Sequence, residues 1–210
     1  MAEPYVRISA CGRYLPGQVL TNEELIARFD LDVDANWIES RTGIRSRHWM
    51  SPGETTSDMA AAAGRTVLDE AGVEASQLDR ILLATITPDQ PSPASALRVA
   101  RLLGARCPAF DVSAACAGFL YGLDLGAASI RGGEERVLVL AADARSRFVN
   151  PSDHRSVVLF ADGAGGALLE PADEPGLLST FVGAEARERP GAEVPGGGAR
   201  EPASHATVDA

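Results

Sequence analysis

Residues 108–133 read PAFDVSAACAGFLYGLDLGAASIRGG, and the fold follows from how this stretch changes character. PAFDV is a short run with the make-up of a buried strand. The chain then turns on small residues. Up to Gly132 it carries apolar or small side chains on nearly every helical face, with Asp124 as the one acid. A helix apolar all round is expected to be surrounded by protein. The stretch therefore predicts a central helix fed by a buried strand.

Working outward toward the amino terminus, SALRVARLLG predicts a helix and ILLATITP a buried strand. DMAAAAGRTVLDEAG predicts a long helix with an alanine-rich face, stopped by Gly72. ANWIESR is a short helix that Asp34 can cap and Gly43 can end, and Thr21 caps NEELIARF. Residues 5–10, YVRISA, alternate as a strand does. Toward the carboxyl terminus RVLVLAAD, VVLFAD, GAGGALLEP and GLLSTFVGAE are expected strands, with Asp162-Gly163 as a hairpin signal. βα units followed by a run of strands predict an α/β fold whose mixed sheet has helices on both faces.

The 210 residues, 45% of them apolar, suffice for one large α/β domain or two small ones. Lys and Arg number 19 against 29 Asp and Glu, a formal charge of −10, which argues against general affinity for nucleic acid. About half of that excess lies in residues 170–210. No run of apolar residues is long enough for a membrane span, and MAEPYVRISA does not read as a signal peptide, so the cytoplasm is the expected compartment. The three cysteines, Cys11, Cys107 and Cys116, form no CxxC pair and no disulfide framework, so free thiols and no metal site are expected. From about Glu185, Pro, Gly and charged residues displace large apolar ones. Residues 1–183 are thus read as a folded unit and 184–210 as a linker or mobile segment.

Cys116 stands apart from the other two cysteines. It falls where a buried strand ends and the central helix begins, a place where unpaired N–H groups and the positive helix end stabilise a thiolate. Small neighbours leave room for a substrate. On these residues alone, nucleophile and packing residue are both admissible readings.

DVSAACAGFLYGL at 111–123 resembles the nucleophile segment of the β-ketoacyl-acyl-carrier-protein synthase III family, condensing enzymes of the thiolase fold. NWIESRTGIRSRHW at 36–49 is similar to that family's Trp-Ile-x-x-Arg-Thr-Gly-Ile-x-x-Arg signature. NPSDHRSVVLFADGAGGALLE at 150–170 and EPGLLST at 174–180 resemble the stretches that follow it. The resemblance runs in order over residues 5–183. It implies a thiolase-like fold, with this chain the first of two pseudo-repeated halves, and residues 184–210 leading to the second.

The resemblance further implies that an acyl group passes from coenzyme A to Cys116, after which malonyl-acyl carrier protein loses carbon dioxide and its carbanion attacks the acyl-cysteine. Trp37 and Arg155 would hold the adenine between them and Arg41 a phosphate. Arg41, Arg45, Arg47 and His48 would supply local positive field in an acidic protein. Acyl-CoA is a substrate, so no cofactor or metal is implied, and a homodimer is. Residues 87–96, TPDQPSPASA, correspond to a region that shapes the acyl pocket. The histidine and asparagine that assist decarboxylation lie in the second half, and His48, His154 and His205 are read as surface residues. Ser156 and Val33 depart from the family pattern, where glycine and a small hydroxyl residue are expected. Two alternatives remain: acyl transfer without condensation, as in some polyketide-pathway relatives, and a non-catalytic half-fold partner. Cys11 and Cys107 match no functional position and are read as structural.

Overall fold

The computed structural model describes residues 4–185, 193, 194, 196–204 and 207. In chain order its elements are β1 (Tyr5–Tyr14), β2 (Gln18–Thr21), α1 (Asn22–Phe29), α2 (Ala35–Thr42), β3 (Ser46–Trp49), α3 (Thr56–Ala71), β4 (Arg80–Ala84), α4 (Ser95–Leu103), β5 (Ala109–Val112), α5 (Gly118–Arg131), β6 (Val137–Ala144), α6 (His154–Val157) and β7 (Asp162–Ala172). They divide into two compact units. The first is built from the chain up to Val19, His48–Ala144 and Ala161–Val182. The second takes Leu20–Arg47, Arg145–Phe160 and the chain from Gly183.

The first unit is a five-stranded mixed sheet in the order β1-β7-β6-β4-β5. β4 runs parallel to both β5 and β6, and β7 is antiparallel to β6 and β1. Alternation along β4 sends Ile81 and Leu83 to one face and Leu82 to the other. Ile81 and Leu83 join Leu138, Leu140 and Leu168 in a core with Val67 of α3 and Val99 of α4. On the opposite face Leu82, Val139 and Leu169 pack against Leu123, Ala127 and Ile130 of α5. Helices on both faces of a mixed sheet are what the sequence predicts.

α5 lies very close to the sheet because one strip of it has no side chains. A Cβ on Gly118 would stand 3.0 Å from Ala84 Cβ, one on Gly122 2.7 Å from Val139 Cγ1, and one on Gly126 2.7 Å from Leu169 Cδ1. The three glycines are four residues apart and share a face.

The helix boundaries fall where the sequence places them. Thr21 with Glu24 forms a capping box on α1, and Thr55 with Asp58 forms another on α3. Asp34 accepts from the Trp37 N–H at 2.7 Å to start α2. Gly43 and Gly72 end α2 and α3 at φ 73° and 65°.

Four expectations are corrected. VVLFAD is not a strand: Asp153 caps the short α6, the amides of Ser156 and Val157 bond back to Asp153, and Val157 and Val158 bury themselves as a turn. Asp162-Gly163 makes no hairpin, because Asp162 begins β7, where its buried carboxylate accepts from the Met50 N–H at 2.8 Å. GLLSTFVGAE contributes no strand. Leu177 N–H reaches Val6 O at 2.6 Å, but Leu178 and Phe181 beyond it are 79% and 97% exposed. Finally, the described residues do not enclose α5 on all sides. Its sheet-facing side is buried, while Leu120 and Leu125 on the outer side are 60% and 41% exposed. Apolar residues all round a helix say that its outer side suits burial, and among the described residues nothing buries it.

Candidate active site

Cys116 sits between the last residue of β5 and the first of α5. Three residues separate it from Val112, and the turn is tight enough that Ala115 takes φ 46°, a left-handed conformation costing a non-glycine residue on the order of 1 kcal/mol. Ala115–Ala117 form a single 3-10 turn, in which the Ala117 amide bonds to Ala114 O at 3.1 Å and the Gly118 amide to Ala115 O. Among the described residues no side chain caps α5. The Cys116 amide makes no hydrogen bond among the described residues, and the side chain is exposed. A reactive carbonyl next to that sulfur would find the same residue's N–H as an oxyanion donor.

The location agrees with a topological rule. β4, β5 and β6 are parallel, and open α/β sheets bind ligands beyond the carboxyl ends of such strands. Cys116 follows β5 at that end, and residues 85–94 leave β4 there. Thr85 N–H donates to Val112 O at 3.1 Å, so the two chains are joined where they emerge. Asp143, near the end of β6, accepts from Thr85 Oγ1 at 3.1 Å, Ile86 N–H at 3.0 Å and Thr87 Oγ1 at 3.0 Å. Nothing in the sequence pattern marks Asp143.

The other two thiols differ from Cys116. Cys107 is half-buried and burial pushes its pKa up, opposed only in part by its own backbone amide and by Arg80. Cys11 is exposed, on a strand residue paired with Ala167.

In the second unit, Trp37 of α2 is half-buried, with the Arg41 guanidinium 4.6 Å from its ring centroid and the His154 ring edge-on at 5.4 Å. Arg41, one helical turn on, lies over the indole in a cation–π contact. Arg155 is exposed and pairs with Asp153, Nε to Oδ1 at 2.9 Å and Nη2 to Oδ2 at 3.1 Å, which holds the Asp153 carboxyl below its usual range.

The expected basic cluster is divided among separate tasks. Arg45 pairs with Glu39 at 2.7 Å. Arg47 is buried and donates to Leu20 O, Thr21 O, Asn22 Oδ1 and Val158 O, so it organises backbone; burial lowers its pKa. Arg41 remains exposed. Two histidines are also corrected from the surface reading: His48 is half-buried with Nδ1 2.7 Å from Pro16 O, and His154 is half-buried beside Trp37. His205 lies outside the described residues. Among the described residues no group of His, Cys, Asp and Glu could hold a metal ion, and no helix is long and apolar enough to cross a membrane.

Residues 110–186 match the family model of 3-oxoacyl-[acyl-carrier-protein] synthase III. The chain is 44% identical over 203 residues to the β-ketoacyl-[acyl-carrier-protein] synthase III of Roseiflexus sp. strain RS-1, covering 95% of this chain and 61% of that protein. A crystal structure of a 3-oxoacyl-(acyl-carrier-protein) synthase III superposes with a TM-score of 0.88 at 36% identity, over 96% of this chain and 61% of that one. The priming β-ketosynthase of the R1128 polyketide biosynthetic pathway gives 0.79 at 37% identity, over 83% and 52%. The chain thus spans about three fifths of the length of the curated relatives it matches. The thiolase-like α/β fold expected from the sequence is borne out.

Proposed function

From a chain homologous to the β-ketoacyl-acyl-carrier-protein synthases III, we propose that Cys116 is the acyl-accepting nucleophile of a condensing enzyme of that type. The observation that carries the reading is an exposed thiol on the turn between β5 and α5, where the first parallel strands of the sheet end. Its thiolate attacks the carbonyl of an acyl-CoA, the carbon–sulfur bond to coenzyme A breaks, and coenzyme A leaves as a thiolate that takes a proton from water. The Cys116 N–H supports the transient oxyanion. The acyl-enzyme then condenses with malonyl-acyl carrier protein, with loss of carbon dioxide. The donors for that step belong to a further, homologous half that residues 184–210 would lead to, with 1–183 as the first half.

Trp37 supplies an aromatic face for the adenine and Arg155 the guanidinium opposite it, once released from Asp153. Arg41 meets a phosphate by swinging off the indole. Acyl-CoA is a substrate, so the reaction calls for no cofactor. We place the enzyme in the cytoplasm as a homodimer.

The test uses the full-length protein with short acyl-CoAs. An acyl adduct at Cys116 by intact-mass and peptide analysis, followed by carbon dioxide release and a β-ketoacyl product on adding malonyl-acyl carrier protein, is the expected result. Absence of any adduct at Cys116 overturns the proposal. An adduct that passes to another acceptor without carbon dioxide release overturns its condensation step.

A further inference from the structure

α4 starts without a cap of its own: its N-cap residue is Ala94, which has no side-chain bond to offer. The missing acceptor comes from another element. Asp111, on β5, takes Ser95 N–H on Oδ2 at 2.9 Å and Ala96 N–H on Oδ1 at 2.8 Å. Ser95, buried, in turn accepts the Asp89 N–H on its Oγ at 2.9 Å. The Asp89 carboxylate takes the Ser57 N–H at 3.0 Å and the Ser57 hydroxyl at 2.5 Å. Residues 85–96 are therefore fastened at both ends to β5, by Thr85 to Val112 O and by Ser95 and Ala96 to Asp111, with Asp89 pinned between. Val112 and Asp111 are the last two residues of β5, and the turn that holds Cys116 follows directly.

We propose that Asp111 is a positioning residue for the acyl site: it sets how far the segment 85–96 stands from Cys116, and thereby which acyl chains fit. The inference rests on the acyl-accepting role of Cys116. A carboxylate spanning two adjacent N–H groups is a short, two-point tie, so a shift of α4 or of β5 is passed to the other. The segment between the ties leaves β4 at the end of the sheet where Cys116 follows β5, so the tie governs how the loop next to that turn stands. Without Asp111 the segment is still held at Thr85, Ile86 and Thr87 and at Asp89, but its α4 end is no longer tied to β5, and there its spacing to the sulfur is free to vary.

The experiment separates this role from plain helix capping. In the full-length protein, Asp111→Ala removes the tie. Ala94→Ser added to it gives α4 a cap from its own N-cap position without restoring the link to β5. Acyl loading of Cys116 from acetyl-CoA and octanoyl-CoA is followed by intact mass, and thermal midpoint alongside. The same variants are alkylated with N-ethylmaleimide and N-octylmaleimide, read at Cys116 by peptide mass, which needs no catalysis. The expected result is a short-to-long preference changed about tenfold in Asp111→Ala. The double variant should recover the thermal midpoint and keep the altered preference. Asp111→Asn, which retains one acceptor, should shift in the same direction by less.

An unchanged preference in Asp111→Ala, or a preference restored together with stability by Ala94→Ser, overturns the proposal. Failure of the wild type to take any acyl group would instead overturn the nucleophile assignment, and the maleimide preference would still decide the role of Asp111.

Discussion

α4 and α5 begin at the same end of the same sheet, and their first turns are finished in opposite ways. At α4, Asp111 takes up two backbone amides. At α5 no side chain among the described residues caps the helix, and an exposed thiol stands at the turn before it. Both starts offer the partial positive charge of a helix end. One spends it on a carboxylate that ties two elements together, and the other leaves it facing solvent beside a sulfur. A helix start closed by a carboxylate holds structure, and one left open beside a nucleophile is available for chemistry.

The sharpest way to break that contrast is to delete the sulfur. Cys116→Ala should abolish the acyl adduct seen by intact mass in the full-length protein, whereas Cys11→Ala should leave it in place. Next in size is the difference between thiols. At pH 8, iodoacetamide should label Cys116 at least about tenfold faster than Cys107, whose burial raises its pKa so that less thiolate is present at a given pH. Raising the pH should narrow the gap as Cys107 ionises; peptide mapping across pH 7 to about 10 checks it. Equal labelling at pH 8 would remove the distinction.

α2 extends the comparison to a third helix start, where Asp34 caps the Trp37 amide and only the indole ring is left for a ligand. Trp37→Ala should weaken coenzyme A binding about fivefold, or about 1 kcal/mol, by calorimetry, and leave the labelling rate of Cys116 unchanged. A stability effect of similar size belongs to the closed start. Asp111→Ala should lower stability by about 1 kcal/mol, the usual cost of a lost cap, seen as a shift of a few degrees in thermal midpoint.

Most of the element boundaries were legible in the sequence because local chemistry and packing agree at them. Thr21, Asp34, Gly43 and Gly72 each stand where a helix begins or ends, and β4 and β6 read as buried strands; β5 was also read as buried, but it is the edge of the sheet and Phe110 on it is exposed. VVLFAD misled because a run of buried apolar residues has no period, and the Asp153 cap upstream decided for a turn. α5 misled differently: composition reports which faces can be buried and not which are. The candidate nucleophile could be read from small residues around a cysteine at a strand-to-helix junction. Asp143 and Asp111 could not, since each bonds residues distant in the chain. The one available sign for Asp111 was indirect, an alanine, Ala94, at the N-cap of a helix beginning at Ser95.

The bare strip of Gly118, Gly122 and Gly126 has a consequence for anyone redesigning this molecule. Because backbone rests on the strand side chains there, a methyl added at 122 or 126 would stand 2.7 Å from Val139 Cγ1 or Leu169 Cδ1, so the helical rod or the strand side chain must give way. Altered substrate preference is therefore best sought in the neighbouring loop, while the rod serves as the fixed datum from which the loop is measured.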